Sequence, residues 1–129
     1  MIQEFVDKWN TSARAVVRAQ VSQKHVTSYG ELVRMVVAAL AEGSEYGGMD
    51  ASKIHQIDDG DYQGTLLFII PEACYQPSTY WSVKVSYGSC SGCDTLQRIH
   101  SYDDETPTEQ QVADYMSLAL HIVQWLKEI

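Results

Sequence analysis

The sequence predicts a single α+β domain over residues 1–129, in which three helices pack on one face of a small antiparallel sheet. The chain has 129 residues, and domains cluster at about 100–150 residues. Three segments carry apolar residues at helical spacing, and two shorter ones carry the apolar patterns of strands. The order of these segments lacks the alternation of strands and helices that is typical of parallel sheets.

Two helices are predicted in the first third of the chain. Over residues 3–22, apolar side chains recur at three- and four-residue spacing, at Phe5, Trp9, Ala13, Val16 and Val17. The second helix begins at Ser28, whose hydroxyl can accept a hydrogen bond from the Glu31 amide in a capping box. An apolar stripe follows at Leu32, Met35, Val36, Ala39 and Leu40, and Gly43 is a natural stop.

The centre of the chain predicts a loop followed by a hairpin. Residues 43–61 are rich in Gly, Ser and Asp and predict a loop with a short turn near Ile54. The apolar run 65–70 predicts a buried strand, and the alternating residues 80–87 predict its antiparallel partner. Residues 96–100 fit either a third strand or one helical turn, and both remain open.

The last helix has the clearest start. Thr106, Pro107 and Glu109 match an N-cap, a first helical residue and a capping glutamate. The acidic residues 103–105 precede the positive end of the helix dipole, which explains them without a metal. The apolar stripe of this helix consists of Val112, Tyr115, Met116, Ala119, Ile122, Val123 and Leu126.

Composition limits the classes of partner. The net charge is −8, with nine Lys and Arg against seventeen Asp and Glu, so the chain repels the phosphate backbone of nucleic acids. No apolar run approaches the roughly 18–20 residues of a membrane span. An odd number of cysteines, three, with no recognisable signal peptide predicts reduced thiols and a cytoplasmic location. A short sheet with exposed aromatic side chains makes a homodimer plausible.

The candidate binding residues form the loop after the second predicted strand. Small side chains let backbone amides approach a ligand, and Asp94 or Thr95 could cap a short helix whose free amides attract an anion. The nearby aromatic residues Tyr87, Tyr80 and Trp81 could stack on a base or ring. The loop therefore predicts non-enzymatic binding of a small anionic, nucleotide-like ligand by Tyr87, Gly88, Ser89, Cys90, Ser91, Gly92, Cys93, Asp94 and Thr95.

Three alternatives to a ligand loop remain open. Cys90 and Cys93 have the spacing of two zinc ligands, with the others to come from His55, Cys74 or His100, and the same pair suits a redox disulfide. A second alternative is an acidic protein-binding module or mimic that acts on a host protein. The structural alternative is a plain connector with buried cysteines.

Histidines and carboxylates elsewhere give weaker candidates. Residues 55–62 combine a histidine with three aspartates around a glycine turn, a set that suits Mg²⁺ or a general base. Their spacing matches no EF-hand, which favours a solvated turn. His25 and His121 stand alone in the sequence, and a structural role is expected for His121. No Ser, His and acid show a hydrolase arrangement.

Two stretches resemble a family of small uncharacterised bacteriophage proteins. They are YGSCSGCDTLQ at residues 87–97 and DYQGT at residues 61–65, and the resemblance covers residues 55–100. The resemblance implies a phage accessory protein in the cytoplasm of the bacterial host, where such proteins counter host defence or redirect host machinery. It implies no activity and no cofactor, and it carries over no catalytic residue.

Overall fold

The computed structural model describes residues 2–26, 28–41, 48–58, 64–73, 76–87, 99 and 106–128. The N-terminal helical run comprises α1 (Ile2–Lys8), a π-helical turn (Trp9–Ala13) and α2 (Arg14–Gln23). Two further helices are α3 (Tyr29–Ala41) and α4 (Glu109–Trp125). The strands are β1 (His55–Asp58), β2 (Gly64–Pro71), β3 (Tyr80–Tyr87) and β4 (Lys127–Glu128). The predicted α+β class is confirmed.

The sheet is antiparallel, with four strands in the order β1-β2-β3-β4 among the described residues. β2 and β3 pair along their whole length, from Gly64 opposite Tyr87 to Pro71 opposite Tyr80, which confirms the predicted hairpin. β1 adds four residue pairs on the β2 side and β4 adds two on the β3 side.

Neither outer strand, β1 or β4, was predicted from the sequence. The stretch 43–61 was expected to be loop, yet residues 55–58 form β1, and all four side chains of β1 are exposed. With no side chain to bury, this strand shows no apolar alternation that a sequence pattern could reveal. Of residues 96–100, only Ile99 is described, and it is helical and buried. Gly43 and most of that stretch lie outside the described residues.

The short turn expected near Ile54 is present as a 3₁₀ turn, Ala51–Lys53. Asp50 caps it by accepting hydrogen bonds from the amide of Ser52 at 2.9 Å and from its hydroxyl at 2.6 Å. These two hydrogen bonds lower the pKa of the Asp50 carboxyl, because they stabilise its charged form. The turn ends one residue before β1, and the amide of its second residue, Ser52, is satisfied by this cap.

The helices cover one face of the sheet. On that face, Leu66 and Phe68 of β2 and Val83 and Val85 of β3 are buried with the helical residues in one core. The opposite face is more open: Ile57 of β1 is 43% exposed there. Because one face is packed and the other is solvated, the two strands of the hairpin show the alternation expected of such a sheet.

The π-helical turn explains a strict four-residue spacing in the first helix. Trp9, Ala13, Val17 and Val21 are all buried, although four-residue steps drift by about 40° each around an α-helix. A π-helical turn takes more residues than an α-helical one, so the turn over Trp9–Ala13 offsets part of that drift. The apolar stripe consequently stays on the core side.

Helix α3 is the most deeply buried helix of the described chain. Its hydroxyl cap is as predicted, since the Glu31 amide donates to Ser28 Oγ at 3.1 Å. Val33 and Val37 are fully buried beside the predicted stripe, so the buried arc is broader than expected. A Cβ added at Gly30 would lie 3.0 Å from Gln56 Oε1, so the Gln56 side chain would have to shift to admit it.

Helix α4 begins two residues later than the sequence predicts. Thr108, rather than Thr106, is the N-cap: its hydroxyl accepts from the Gln111 amide at 3.2 Å, and Gln111 Oε1 accepts from the Thr108 amide at 2.9 Å. Gln111 also donates to the carbonyl of Ile99 at 3.2 Å. This second contact selects the later start, because Gln111 can act as cap and tether together only when it occupies the third helical position.

A buried polar pair joins the first and last helical regions. His25 Nδ1 lies 2.9 Å from the hydroxyl of Tyr115, and both side chains are buried. The Tyr115 oxygen also takes part in a hydrogen bond with the backbone of Val26. The contact connects residues that are 90 positions apart, so it fixes the end of α2 against the middle of α4.

Replacing Tyr115 with Phe should lower the free energy of unfolding by about 1–3 kcal/mol, because His25 and Val26 lose a buried hydrogen-bond partner. Urea unfolding followed by circular dichroism measures this change. Tyr80→Phe is the control, since Tyr80 is 40% exposed. Equal stability of the two variants would contradict the account.

Stability should fall in alkaline solution because burial raises the pKa of the Tyr115 hydroxyl above its ordinary value of 10.0. A hydroxyl whose pKa is higher in the folded than in the unfolded state contributes stability to the folded protein. That stability is fully present below the unfolded-state pKa and is lost as pH rises through the folded-state pKa. Unfolding free energies measured between about pH 9 and about pH 11 should therefore decline more steeply in the wild type than in Tyr115→Phe. Parallel slopes would contradict this.

Candidate functional site

A groove of about 420 Å³ lies beside the outer edge of β3. β4 pairs only with Trp81 and Ser82, so among the described strands the rest of β3 has no partner on that side. The groove occupies the space next to this unpaired stretch. It is lined by Tyr29, Lys84, Val85, Ser86, Leu118, Trp125 and Lys127.

The groove has an apolar floor and a polar rim. Tyr29, Val85 and Leu118 are at most 5% exposed and therefore form the floor. Lys84, Ser86, Trp125 and Lys127 are exposed and form the rim. This is the usual composition of a small-molecule site, in which apolar surface supplies contact and a few polar groups fix orientation.

Leu126 sets the positions of two rim residues. Its side chain is fully buried, and its amide donates to the carbonyls of Ile122 at 3.1 Å and Val123 at 3.4 Å. Its backbone is extended, with φ −62° and ψ 132°, so α4 ends there and the chain enters β4. Trp125 and Lys127 flank this buried residue, and both are therefore held at the groove.

Two lysines lie on the same face of neighbouring strands at the rim. Lys127 is opposite Ser82 in the sheet register, and Lys84 is two residues further along β3. Such diagonal neighbours lie about 7–8 Å apart. Like charges repel, and an anion bound between the two lysines would be attracted to both. The concentration of positive charge is notable in a chain whose net charge is −8.

Trp125 is an exposed aromatic platform at the end of α4. Its side chain is 45% exposed, and its ring centroid lies 5.5 Å from that of His121 at an interplanar angle of 33°. The two residues are one helical turn apart, which brings their rings together. His121 is exposed, so the buried structural histidine of the fold is His25 rather than His121.

Most of the loop predicted to bind a ligand lies outside the described residues. Of its nine members, the structure describes Tyr87, as the last residue of β3. Residues 88–95, including Cys90 and Cys93, are not among those described. The loop begins directly after Tyr87, one residue beyond the groove residue Ser86. The predicted loop and the observed groove are therefore adjacent in the chain.

The predicted metal sites have no support in the described part of the chain. No group of three or more His, Cys, Asp or Glu side chains that could hold a metal occurs there. His55 lies on β1 and is exposed, whereas residues 59–62 of the same candidate segment are not described. The Cys90–Cys93 zinc or thiol alternative stays a prediction.

The rim residues Lys84, Trp125 and Lys127 were not predicted from the sequence. Lys84 belongs to the solvent side of an alternating strand, where a lysine is ordinary. Trp125 gives a weak signal, since a large aromatic side chain at the end of a buried helix interrupts the apolar stripe. Only the register of β4 brings these three residues together, and a two-residue strand has no readable pattern.

Comparisons with known proteins give no identity for the chain. A scan against protein-family models and searches of curated proteins and of solved structures find no match. In the described part of the chain, no helix is both long enough and apolar enough to cross a membrane. The groove and its chemistry are accordingly the basis for any functional proposal.

Proposed function

We propose that the protein is a binding protein for a small anionic ligand, which it holds in the groove beside β3. The observation that carries the proposal is the placement of Lys84 and Lys127 on one face at the rim of this groove. In a chain of net charge −8, these paired cations make the groove a local site for negative charge.

The size and lining of the groove support a small molecule. Its volume of about 420 Å³ falls in the range of roughly 300–1,000 Å³ that is typical of ligand sites. Unlike charges 4 Å apart attract by about 1 kcal/mol in water and by about 4 kcal/mol near a protein surface. Because the lysines are exposed, we expect the attraction to be modest and to weaken as salt rises.

The loop Gly88–Thr95 remains part of the proposal. It directly follows Ser86 and Tyr87 along the chain, and small residues allow backbone amides to contact an anion. The resemblance to bacteriophage proteins supports a setting in the bacterial cytoplasm, where such a protein would withhold an anionic signal from host defence. The alternatives of a host-protein partner, a homodimer, and a zinc or thiol site stay predictions.

Inorganic pyrophosphate, titrated by calorimetry at low and at high salt, tests anion binding. We expect binding that weakens with salt and falls at least about tenfold, or about 1.4 kcal/mol, in Lys84→Gln/Lys127→Gln. Each replacement removes one of the two charges that would contact the anion.

The matched control is Lys24→Gln/Lys53→Gln, which removes the same charge from two exposed lysines that do not line the groove. The control should bind pyrophosphate as the wild type does. No binding by the wild type, or an equal loss in the control, would contradict the proposed function.

A further inference from the structure

We propose that the ligand is a nucleotide, whose base stacks on Trp125 while its phosphates contact Lys84 and Lys127. This identification rests on the proposed function and adds recognition of an aromatic ring to recognition of charge. The ligand proposed for the groove is a small molecule that carries both an aromatic ring and an anionic group.

Trp125 is proposed to contact the base because its side chain is exposed and is held in place by His121. Large apolar side chains of this chain are mostly buried, whereas Trp125 is 45% exposed at the groove. His121 lies against it with a centroid distance of 5.5 Å and a tilt of 33°. A ring that is already held by a neighbour loses less freedom when a ligand stacks on it.

The spacing between ring site and charge site matches a nucleotide. Trp125 and Lys127 are separated by the extended residue Leu126, and extended chain advances about 3.3 Å per residue. The two sites therefore begin about 7 Å apart along the backbone. In a nucleotide, one ribose separates the base from the first phosphate, so a base on Trp125 places its phosphates beside the lysines.

The remaining groove residues suit the sugar between base and phosphate. Ser86 is exposed at the rim and carries a hydroxyl that can donate and accept hydrogen bonds. The buried side chains of Tyr29, Val85 and Leu118 lie beneath and give the apolar contact that ribose carbon atoms require. An acidic peptide without aromatic or apolar side chains would contact the lysines but would place no ring against Trp125.

Stacking of the base on Trp125 should produce a measurable gain in binding affinity. Stacking of a nucleic-acid base on an aromatic side chain contributes about 1–3 kcal/mol, which corresponds to roughly 5- to 150-fold in affinity. Inorganic pyrophosphate shares the diphosphate but lacks the ring. A nucleoside diphosphate should therefore bind more tightly than pyrophosphate, and a nucleoside without phosphate should bind more weakly than either.

The experiment compares pyrophosphate, the four common ribonucleosides and their diphosphates by calorimetry, with tryptophan fluorescence recorded in parallel. At least one diphosphate should bind at least about fivefold more tightly than pyrophosphate. Trp125→Leu should reduce its affinity to that of pyrophosphate, should leave pyrophosphate binding within about twofold, and should abolish the nucleotide-dependent change in fluorescence. Trp9 and Trp81 remain in this variant, so the lost change reports Trp125.

Tyr80→Leu is the matched control, since Tyr80 is an exposed aromatic residue that does not line the groove. This control should keep the nucleotide preference.

If every diphosphate binds no more tightly than pyrophosphate, the nucleotide proposal is overturned and anion binding stands. The proposal is also overturned if Trp125→Leu weakens pyrophosphate binding as much as it weakens diphosphate binding. Trp125 would then maintain the shape of the groove and would not contact a base. If neither ligand binds, the proposed function itself fails.

Discussion

The burial of Leu126 is the constraint on which the candidate site depends. This one side chain is drawn fully into the core where α4 ends, while its two neighbours remain exposed. Burying a leucine contributes about 1.5–3 kcal/mol, which is enough to fix the point at which helix changes to strand. The change of direction places Trp125 at the end of a helix and Lys127 at the start of a strand, on the rim of one groove.

The shortness of β4 follows from the same change of direction and explains why a groove exists. A longer fourth strand would pair with more of β3 and would fill the space beside Val85 and Ser86. In the described part of the chain, only Trp81 and Ser82 of β3 are paired on that side, and no other strand covers the edge next to α4. Edges of sheets are commonly blunted by charged residues, especially lysine, and Lys84 and Lys127 have that effect here. Under the proposed function, the same charges would attract anions to this edge.

Under the proposed function, Lys84 and Lys127 would have both a structural and a functional role. As edge residues they discourage pairing with another strand, and as neighbours on one face they repel each other. A bound anion would offset that repulsion without closing the edge. The neutral groove residues would then select among anions, because charge alone does not distinguish one phosphate compound from another.

Sequence patterns predicted the fold well wherever side chains are buried. The hairpin, the three helical regions and the Ser28 cap follow from apolar spacing and capping chemistry, because these reflect contacts that the sequence must encode locally. The strand β1 has four exposed side chains and left no pattern. The start of α4 was misplaced by two residues, because the choice of Thr108 over Thr106 depends on the distant contact of Gln111 with Ile99.

The candidate groove was not predicted from the sequence. A nucleotide-like anion was inferred from the small residues after β3, whereas the described groove is built from Lys84, Trp125 and Lys127 on two separate segments. No local pattern connects positions about forty residues apart, because their proximity arises from the pairing of β3 with β4. The dimer was predicted partly from a two-stranded sheet, and β1 and β4 now supply the additional strands within one chain.

The most direct test of the groove as the binding site is an amide-resolved NMR titration of the ¹⁵N-labelled protein with the tightest-binding nucleoside diphosphate. The account predicts that the largest shifts occur at the amides of Val85, Ser86 and Lys127 and at the indole N–H of Trp125. Shifts concentrated instead on β1 and on the open face of the sheet, with the groove signals unmoved, would contradict it.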